Sequence, residues 1–529
     1  VANPQSLEVL KWCLPALILG VLLRGVLLAQ MPYGFIQYDS ADYLWTPFRW
    51  LHKHQLVFAP KKSFLTPLFY SIPFLLHIPA LIFIPLAQNL MGLLAVVLTG
   101  GLVRLWFDRW RWFIVPVTVL MATNPFAIWY EKTLLGEANF LFFTLLVALL
   151  GTLWVKNPGR GTFLLFLLGL FLEAGTRGEG KLFFLFGLML VPVVDWKKWK
   201  AMALHGAVIL GVMVLTSRAN ANGNADSLLY GSLVHLTPDK LRFEPEAAGR
   251  VLPLRDRYRA EWVDGPTDLV RVTKRLNKVI TPYVKEKYPA KDGRRNFAMI
   301  AKVYNRLCLD VLLAHPFEVF WLPFHKFNAA VDSWTSGEFD AEYLIPYQKN
   351  AATRCNKMFP VFGKRLTGET VANFEQMSAF IDAHYHPESV AWFGRYQRAW
   401  NQAMLALRTP DRPMKKGLRW VHDYIQGIPG GLTQFPGMPI YYFAVVAGMV
   451  AAMLRRGPAR SVQVAWVLCM FFVWWSATLV GVTNGRYRFI DEQFGFIYLL
   501  LLVDCFWSWF RRTPRAEGQA LDTPAGTEA

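Results

Sequence analysis

LLRGVLLAQMPYGFIQYDSADYL, residues 22–44, is where a long apolar run meets the first carboxylates of the chain. The run begins near residue 9 and continues to Gln30, long enough for a helix to cross hydrocarbon, which takes about 20 residues. Asp39 and Asp42 follow at once, among Tyr33, Phe35, Tyr38, Tyr43 and Trp45. Two readings are open. The loop has reached water, where acids are common, or it holds a general base at the hydrocarbon boundary, where partial desolvation raises basicity.

Further apolar stretches of spanning or near-spanning length run over 79–107, 112–128, 137–155, 162–176, 181–195, 201–217, 436–454, 461–482 and 489–510. Only 18% of the residues are charged, against about 25% in an average soluble chain. The expected fold is an α-helical polytopic membrane protein with about ten transmembrane helices. Threaded alternately, these spans put Arg104, Arg109 and Arg111 on one face. The same face collects Lys156 with Arg160, Lys197 with Lys198 and Lys200, Arg455 with Arg456 and Arg460, and Arg511 with Arg512 and Arg515. That is the positive-inside pattern, and it predicts that both termini are cytoplasmic. The apolar run to Gln30 reads as a first span rather than a cleavable signal.

The expected organisation follows. Residues 1–217 form an N-terminal transmembrane module with a first outer loop at 31–78. Residues 218–435 form a mostly helical extracytoplasmic domain, 436–510 return to the membrane, and 511–529 are a tail with little to bury. Within the outer domain, Leu269, Val272, Leu276 and Ile280 share one face of a helix predicted over 266–288, with Asp268 in its first turn. The more apolar 294–327, broken near Pro316 and Pro323, reads as a helix lying on the domain or the bilayer surface.

The outer face gathers the unusual residues. Lys61 and Lys62 precede an apolar segment, Arg177 and Lys181 flank Glu179 in a turn, and Arg486 and Arg488 open the last span. Singly, each cation suits a side chain snorkelling at the interface; together they suit a clamp on a phosphate. Glu131 and Glu137 mark a solvated loop or orient one of those cations. His384 and His386, near Asp382 and Glu388, more often make a solvated loop than a metal site. Of the 5 cysteines, Cys308 and Cys355 both fall outside and could pair in an oxidising compartment. No pair has the spacing of a zinc or redox motif. The net charge of +19 suits anionic lipids or phosphate-bearing substrates, and no nucleic-acid motif accompanies it. Nor is there a GxxxxGK[ST], a GxGxxG between strand and helix, or a GxSxG. No cofactor or metal is expected.

Read together, LLRGVLLAQMPYGFIQYDSADYL (22–44), LTPLFYSIPFLL (65–76), NPFAIWYEKTLLGEANFLFF (124–143), GLFLEAGTRGEGKLFF (169–184) and GRYRFIDEQFGFIYLL (485–500) resemble the GT-C superfamily of integral membrane glycosyltransferases. The likeness is to the polyprenyl-phosphate-sugar branch, which includes protein O-mannosyltransferases and lipid A aminoarabinose transferases. The resemblance implies an inverting glycosyltransferase of cell-envelope biogenesis, in a bacterial inner (plasma) membrane, with an extracytoplasmic active site. It would move a monosaccharide from a polyprenyl-phosphate donor to a hydroxyl of a glycan, glycolipid or protein.

By position, the resemblance gives Asp39 the catalytic acid's place, with Asp42 nearby. It makes Arg177, Arg486 and Arg488 phosphate-facing, and Lys61, Lys62 and Lys181 further donor contacts. Glu131, Glu137, Glu179 and Tyr43 would support the site. A phosphate leaving group needs cations rather than a second carboxylic acid, so one base facing several cations fits single displacement. A lipid-linked oligosaccharide ligase or polymerase shares that donor chemistry. A transporter would usually carry mid-span charges and repeated halves, and here only Arg24 is mid-span.

Overall fold

The computed structural model describes residues 4–58, 62–107, 110–195, 198–219, 230–238, 241–263, 269–289, 296–319, 341–408, 450–451, 459–479, 497–498 and 500–507. Among them the chain is helical, and the β-pairing is one isolated parallel bridge between Phe35 and Thr133. The membrane-like part comprises α1 (Pro4–Gln30), α2 (Ser40–Lys53), α3 (Leu65–Leu75), α4 (Ala80–Trp106), α5 (Ile114–Ala122), α6 (Pro125–Lys132), α7 (Glu137–Lys156), α8 (Arg160–Thr176), α9 (Phe183–Asp195) and α10 (Trp199–Ala219). After them come α11 (Pro245–Val263), α12 (Leu269–Lys287), α13 (Phe297–Ala314), α14 (Ala341–Arg354), α15 (Phe359–Thr367), α16 (Phe374–His384), α17 (Pro387–Arg408) and α18 (Arg460–Leu479).

Four of the described helices are long and apolar enough to cross a membrane: Leu7–Gln30, Ala80–Trp106, Glu137–Lys156 and Trp199–Ser217. A fifth candidate joins Arg111–Ala122 to Pro125–Lys132 across a 50° bend. The apolar stretch read over 112–128 is thus bent in the structure. Asn124 caps a new helix there, accepting from the backbone N–H groups of Phe126 at 2.9 Å and Ala127 at 3.2 Å, with Pro125 in the first turn. Helices α8 and α9, with 17 and 13 residues, fall short of spanning length. Most of 436–454 and 489–510 lies outside the described residues. What stands is an α-helical chain with several helices of membrane length.

Helix α1 packs on α4 and α5, α4 on α7, α7 on α8, and α9 on α10 and α18. Close approach depends on small residues, as expected where packing rather than water drives helix association. A Cβ on Gly100 would run into Cys13 Sγ of α1, and one on Gly151 would lie 2.8 Å from the Phe186 ring.

The bundle has two distinct ends. At one, Glu8 of α1 meets Arg111 at 2.9 Å and Arg104 at 3.6 Å, and Lys156 Nζ donates to the Leu105 carbonyl at 2.9 Å. Trp110 joins the same end to the C-terminal part of the chain, donating to Asp504 at 2.7 Å. At the other end, beyond Gln30, lie the Asp39 loop and helices α14 to α17.

The helices after α10 divide between two cores. Residues 233–319 enclose Leu233, Val251, Leu276, Ile280, Tyr304 and Val311. Buried Glu244 ties that cluster together, accepting from Tyr283 at 2.7 Å and Arg306 at 2.6 Å. The expected apolar face of α12 is seen at Leu276 and Ile280, while Asp268 is outside the described residues. Helix α13 lies on this domain with one face in its core: Val303, Tyr304, Leu307, Cys308 and Val311 are buried, while Leu309 and Leu313 on the other face are exposed. Helices α14 to α17 belong instead to the same core as the membrane-like bundle, through Leu344, Phe362, Phe380, Tyr385 and Phe393.

Cys308 and Cys355 sit in these separate cores, and no disulfide joins them. The suggested disulfide does not form. Burial also pushes the Cys355 thiol up to about 12, so it stays protonated and unreactive at neutral pH.

Candidate functional site

The site is built from the backbone that follows α1. Gly34 donates to the Leu81 carbonyl at 2.7 Å, and Phe35 exchanges backbone hydrogen bonds with Lys132 and Leu134 at 2.9 Å each. The Lys132 ammonium donates to the Met31 carbonyl. Gly34 is required by this close approach: a Cβ there would lie 2.9 Å from Leu134 and 3.0 Å from the Lys132 carbonyl. Ser40 completes the turn, with Oγ accepting from Gln37 N at 2.9 Å and donating to the Leu134 carbonyl at 2.8 Å. The loop that reads as a solvated excursion is therefore stitched to the α6–α7 connection.

Helices α14 to α17 hold it from the other side. Tyr385 Oη donates to the Gly34 carbonyl at 2.6 Å, Ile36 N donates to Gln348 Oε1 at 2.6 Å, and Tyr396 Oη donates to the Thr123 carbonyl. Phe35 stacks on Trp129 at 4.4 Å. Tyr385 and Gln348 were not legible as partners in the sequence, because each lies more than 300 positions from the loop residue it holds.

Asp39 sits at the N-cap of α2, yet its side chain makes no capping hydrogen bond. It turns instead to Lys62, whose Nζ donates to Oδ2 at 3.1 Å. The carboxylate side chain is 33% exposed and the lysine 12%, so the pair is open to solvent on the acid's side. The Lys62 ammonium also lies over the Tyr43 ring, 4.7 Å from its centroid. Asp42, which enters the first turn of α2, faces Arg354 of α14 across a looser 3.9 Å gap. The two acids therefore have different cations and different settings.

A second group of charges lies next to the first. Arg177 ends α8 and is buried, with NH1 donating to Glu137 at 2.6 Å and its other nitrogens to Glu179 at 3.3 and 3.4 Å. Gly136 marks the seam between the groups. A Cβ on it would be 3.1 Å from Tyr43 Oη, 3.3 Å from Thr66 Oγ1 and 3.6 Å from the Thr176 carbonyl. Thr66 itself donates to that carbonyl at 3.2 Å. The structure thus brings together Asp39, Lys62 and Tyr43, with Arg177, Glu137 and Glu179 beyond the Gly136 seam. Lys181 follows in the short 3-10 turn Glu179–Leu182. A buried neighbour missed by the sequence reading is Glu173, which accepts from Thr144 Oγ1 at 2.6 Å.

Glu131 departs from expectation. It is not on a solvated loop; it is buried and accepts two hydrogen bonds of 2.6 Å from Arg24. Gly92 makes room for it, since a Cβ there would fall on the carboxylate. Arg24, within the first span, is thus paired inside the bundle and also donates to the Ala122 carbonyl at 2.9 Å. His384 is engaged through both ring nitrogens, with the Phe380 carbonyl at 2.9 Å and Glu369 at 3.1 Å. Lys61, Arg486 and Arg488 lie outside the described residues.

No protein-family model matches this chain, and a search of curated proteins returned no match.

Proposed function

We propose that the chain is an integral membrane glycosyltransferase that moves a monosaccharide from a polyprenyl-phosphate donor to an acceptor hydroxyl, with inversion at the anomeric carbon. The observation that carries this reading is the Asp39–Lys62 pair, an accessible carboxylate and ammonium 3.1 Å apart just beyond a membrane-length helix. A lipid-linked substrate presents its phosphate and sugar at that level. Asp39 accepts the proton of the attacking hydroxyl. The new C–O bond forms as the bond to phosphate breaks, and the phosphate leaves with its charge held by cations, Lys62 first among them. The buried aromatics around the loop limit water and so limit donor hydrolysis. A GT-C architecture, about ten spans, cytoplasmic termini and an outward-facing Asp39 complete the proposal; the positive-inside pattern supports that sidedness.

Arg177 is held by two carboxylates, which keeps its fork fixed and its charge partly spent. A phosphate approaching it gains orientation and a charge-assisted bond. The test is sugar release from a polyprenyl-phosphate-linked hexose by the purified chain in vesicles. Release that depends on the chain is expected. Arg177→Ala should cost at least about tenfold in donor use, the worth of one hydrogen bond to a charged group. No release from any donor of this class by folded protein overturns the reading.

A further inference from the structure

We propose that Tyr38, Tyr347 and Arg354 form an acceptor subsite beside Asp39, and that the acceptor is a saccharide. The inference rests on the glycosyltransferase reading and narrows its acceptor from any hydroxyl compound to a sugar.

The seam between the first loop and α14 differs from the rest of the loop's surroundings. Tyr33, five positions earlier in the loop, is closed in by edge contacts with Phe380 and His384, both at 4.8 Å. Tyr38, directly before Asp39, remains 40% exposed. Its ring meets Tyr347 of α14 at 4.8 Å with the planes at 80°. Two phenol rings near a right angle make a corner with an apolar wall on each side. The register of that corner is fixed by the next residue, Gln348, which is buried and holds Ile36 N at 2.6 Å. Tyr347 is therefore carried to Tyr38 by a bond made inside the core, and not by surface chance.

Two turns of α14 further on, at its C-terminal end, the seam becomes polar. The Arg354 side chain is 51% exposed and the Asp42 side chain 34%, with 3.9 Å between their nearest charged atoms. Both side chains are thus open to solvent at the rim of the seam. A guanidinium offers only donors and a carboxylate only acceptors, so the pair can serve hydroxyls in both roles.

A pyranose has the matching chemistry. Its C–H faces stack on aromatic rings, whose faces are electron-rich, and its equatorial hydroxyls need donors and acceptors at the rim. A lipid acceptor would want a continuous apolar groove instead. A peptide segment would want backbone partners. The division of labour around Asp39 also fits the reaction. Lys62, from the segment before α3, meets the leaving phosphate. The Tyr38–Tyr347 corner, from α14, holds the incoming sugar. In the transfer, an acceptor hydroxyl loses its proton to Asp39 and bonds to the anomeric carbon while polyprenyl phosphate departs with the electrons of the broken C–O bond.

The experiment measures binding apart from turnover. Full-length protein in nanodiscs is titrated with α-1,4-glucan, α-1,6-mannan and β-1,4-galactan tetrasaccharides by saturation-transfer NMR, and transfer from a polyprenyl-phosphate-linked hexose is followed separately. At least one tetrasaccharide should bind, and Tyr347→Ala and Arg354→Gln should each weaken it by about tenfold. Tyr347→Phe, which keeps the ring, should bind as wild type does. Arg354 is half-exposed, so Arg354→Gln carries the test if Tyr347→Ala does not fold. Binding unchanged in Tyr347→Ala or Arg354→Gln, or none of the three sugars bound, overturns the subsite. Transfer to a peptide or lipid hydroxyl without saccharide binding removes the subsite and leaves the transferase. Saccharide binding lost in these variants, with no sugar ever released from the donor, keeps the subsite and removes the transferase.

Discussion

Arg24–Glu131 and Lys62–Asp39 are both cation–carboxylate pairs, one inside the helix bundle and one at its end. Their settings are opposite. The Arg24 and Glu131 side chains are each 3% exposed, joined by two bonds of 2.6 Å, and roofed by Gly92. Lys62 and Asp39 share a single 3.1 Å contact, and the acid remains one-third open. Burying a charge is costly unless it is fully paired, so the inner pair is complete and fixed. The outer pair is more open on the acid's side, and in the proposed reaction its ammonium turns to a phosphate while its carboxylate takes a proton. Identical chemistry thus yields a strut in one region and a candidate reaction centre in the other.

That contrast is broken most directly at Asp39. Asp39→Asn keeps the shape and removes the proton acceptor. Base catalysis typically contributes about 10²–10⁴-fold, so transfer should fall by that much while the protein melts normally and still binds donor. Near wild-type transfer by folded Asp39→Asn protein would make the outer pair a strut as well.

Glu131→Gln should do the reverse, with its main effect on stability. Breaking one side of a buried pair costs about 3–5 kcal/mol because it strands the other charge. Thermal unfolding in detergent should show this as a marked drop in midpoint. Arg24→Leu combined with Glu131→Leu should recover much of the loss, since both charges then go together. If the single and double variants melt alike, the pair is not the strut described here.

Gly92 probes the packing of that strut without removing either charge. Gly92→Ala should cost about 1–3 kcal/mol, the usual range for overpacking a filled core, because the added methyl falls where the Glu131 carboxylate lies. An unchanged melting curve would mean that α4 and α6 part easily, and that Gly92 is incidental.

How much of this was legible in the sequence depends on the range of the interactions. Helices α4, α7 and α10 lie close to the apolar stretches read from the sequence, because hydropathy is a local property. The break at Asn124 was also local, a capping residue followed by proline, but the apolar run around it concealed the signal. Asp39 stood out as an acid just after a span. Its pairing with Lys62 had a weak signal, two lysines before the next apolar segment. Glu131 was misread because its partner is 107 positions away and inside a span. Gln348, Tyr385 and Tyr396 had no sequence signal, since a single glutamine or tyrosine on a helical surface gives no hint of the backbone carbonyl or amide it meets across the fold.

Asp42 gives the smallest expected effect and the sharpest internal control. It shares the loop with Asp39 but faces Arg354 at 3.9 Å, with both side chains well exposed. Exposed ion pairs are worth about 0.2–1 kcal/mol, so Asp42→Asn should leave the melting temperature nearly unchanged. Its amide keeps an oxygen for a substrate hydroxyl, so transfer should fall far less than in Asp39→Asn. Both variants are to be measured at matched donor and acceptor concentrations, with kcat separated from KM, because a binding role moves KM and a base moves kcat. An effect on KM alone keeps Asp42 at the edge of the site. A collapse of kcat in Asp42→Asn, alongside an active Asp39→Asn, would transfer the base to Asp42 and with it the pairing that matters, from Lys62 to Arg354.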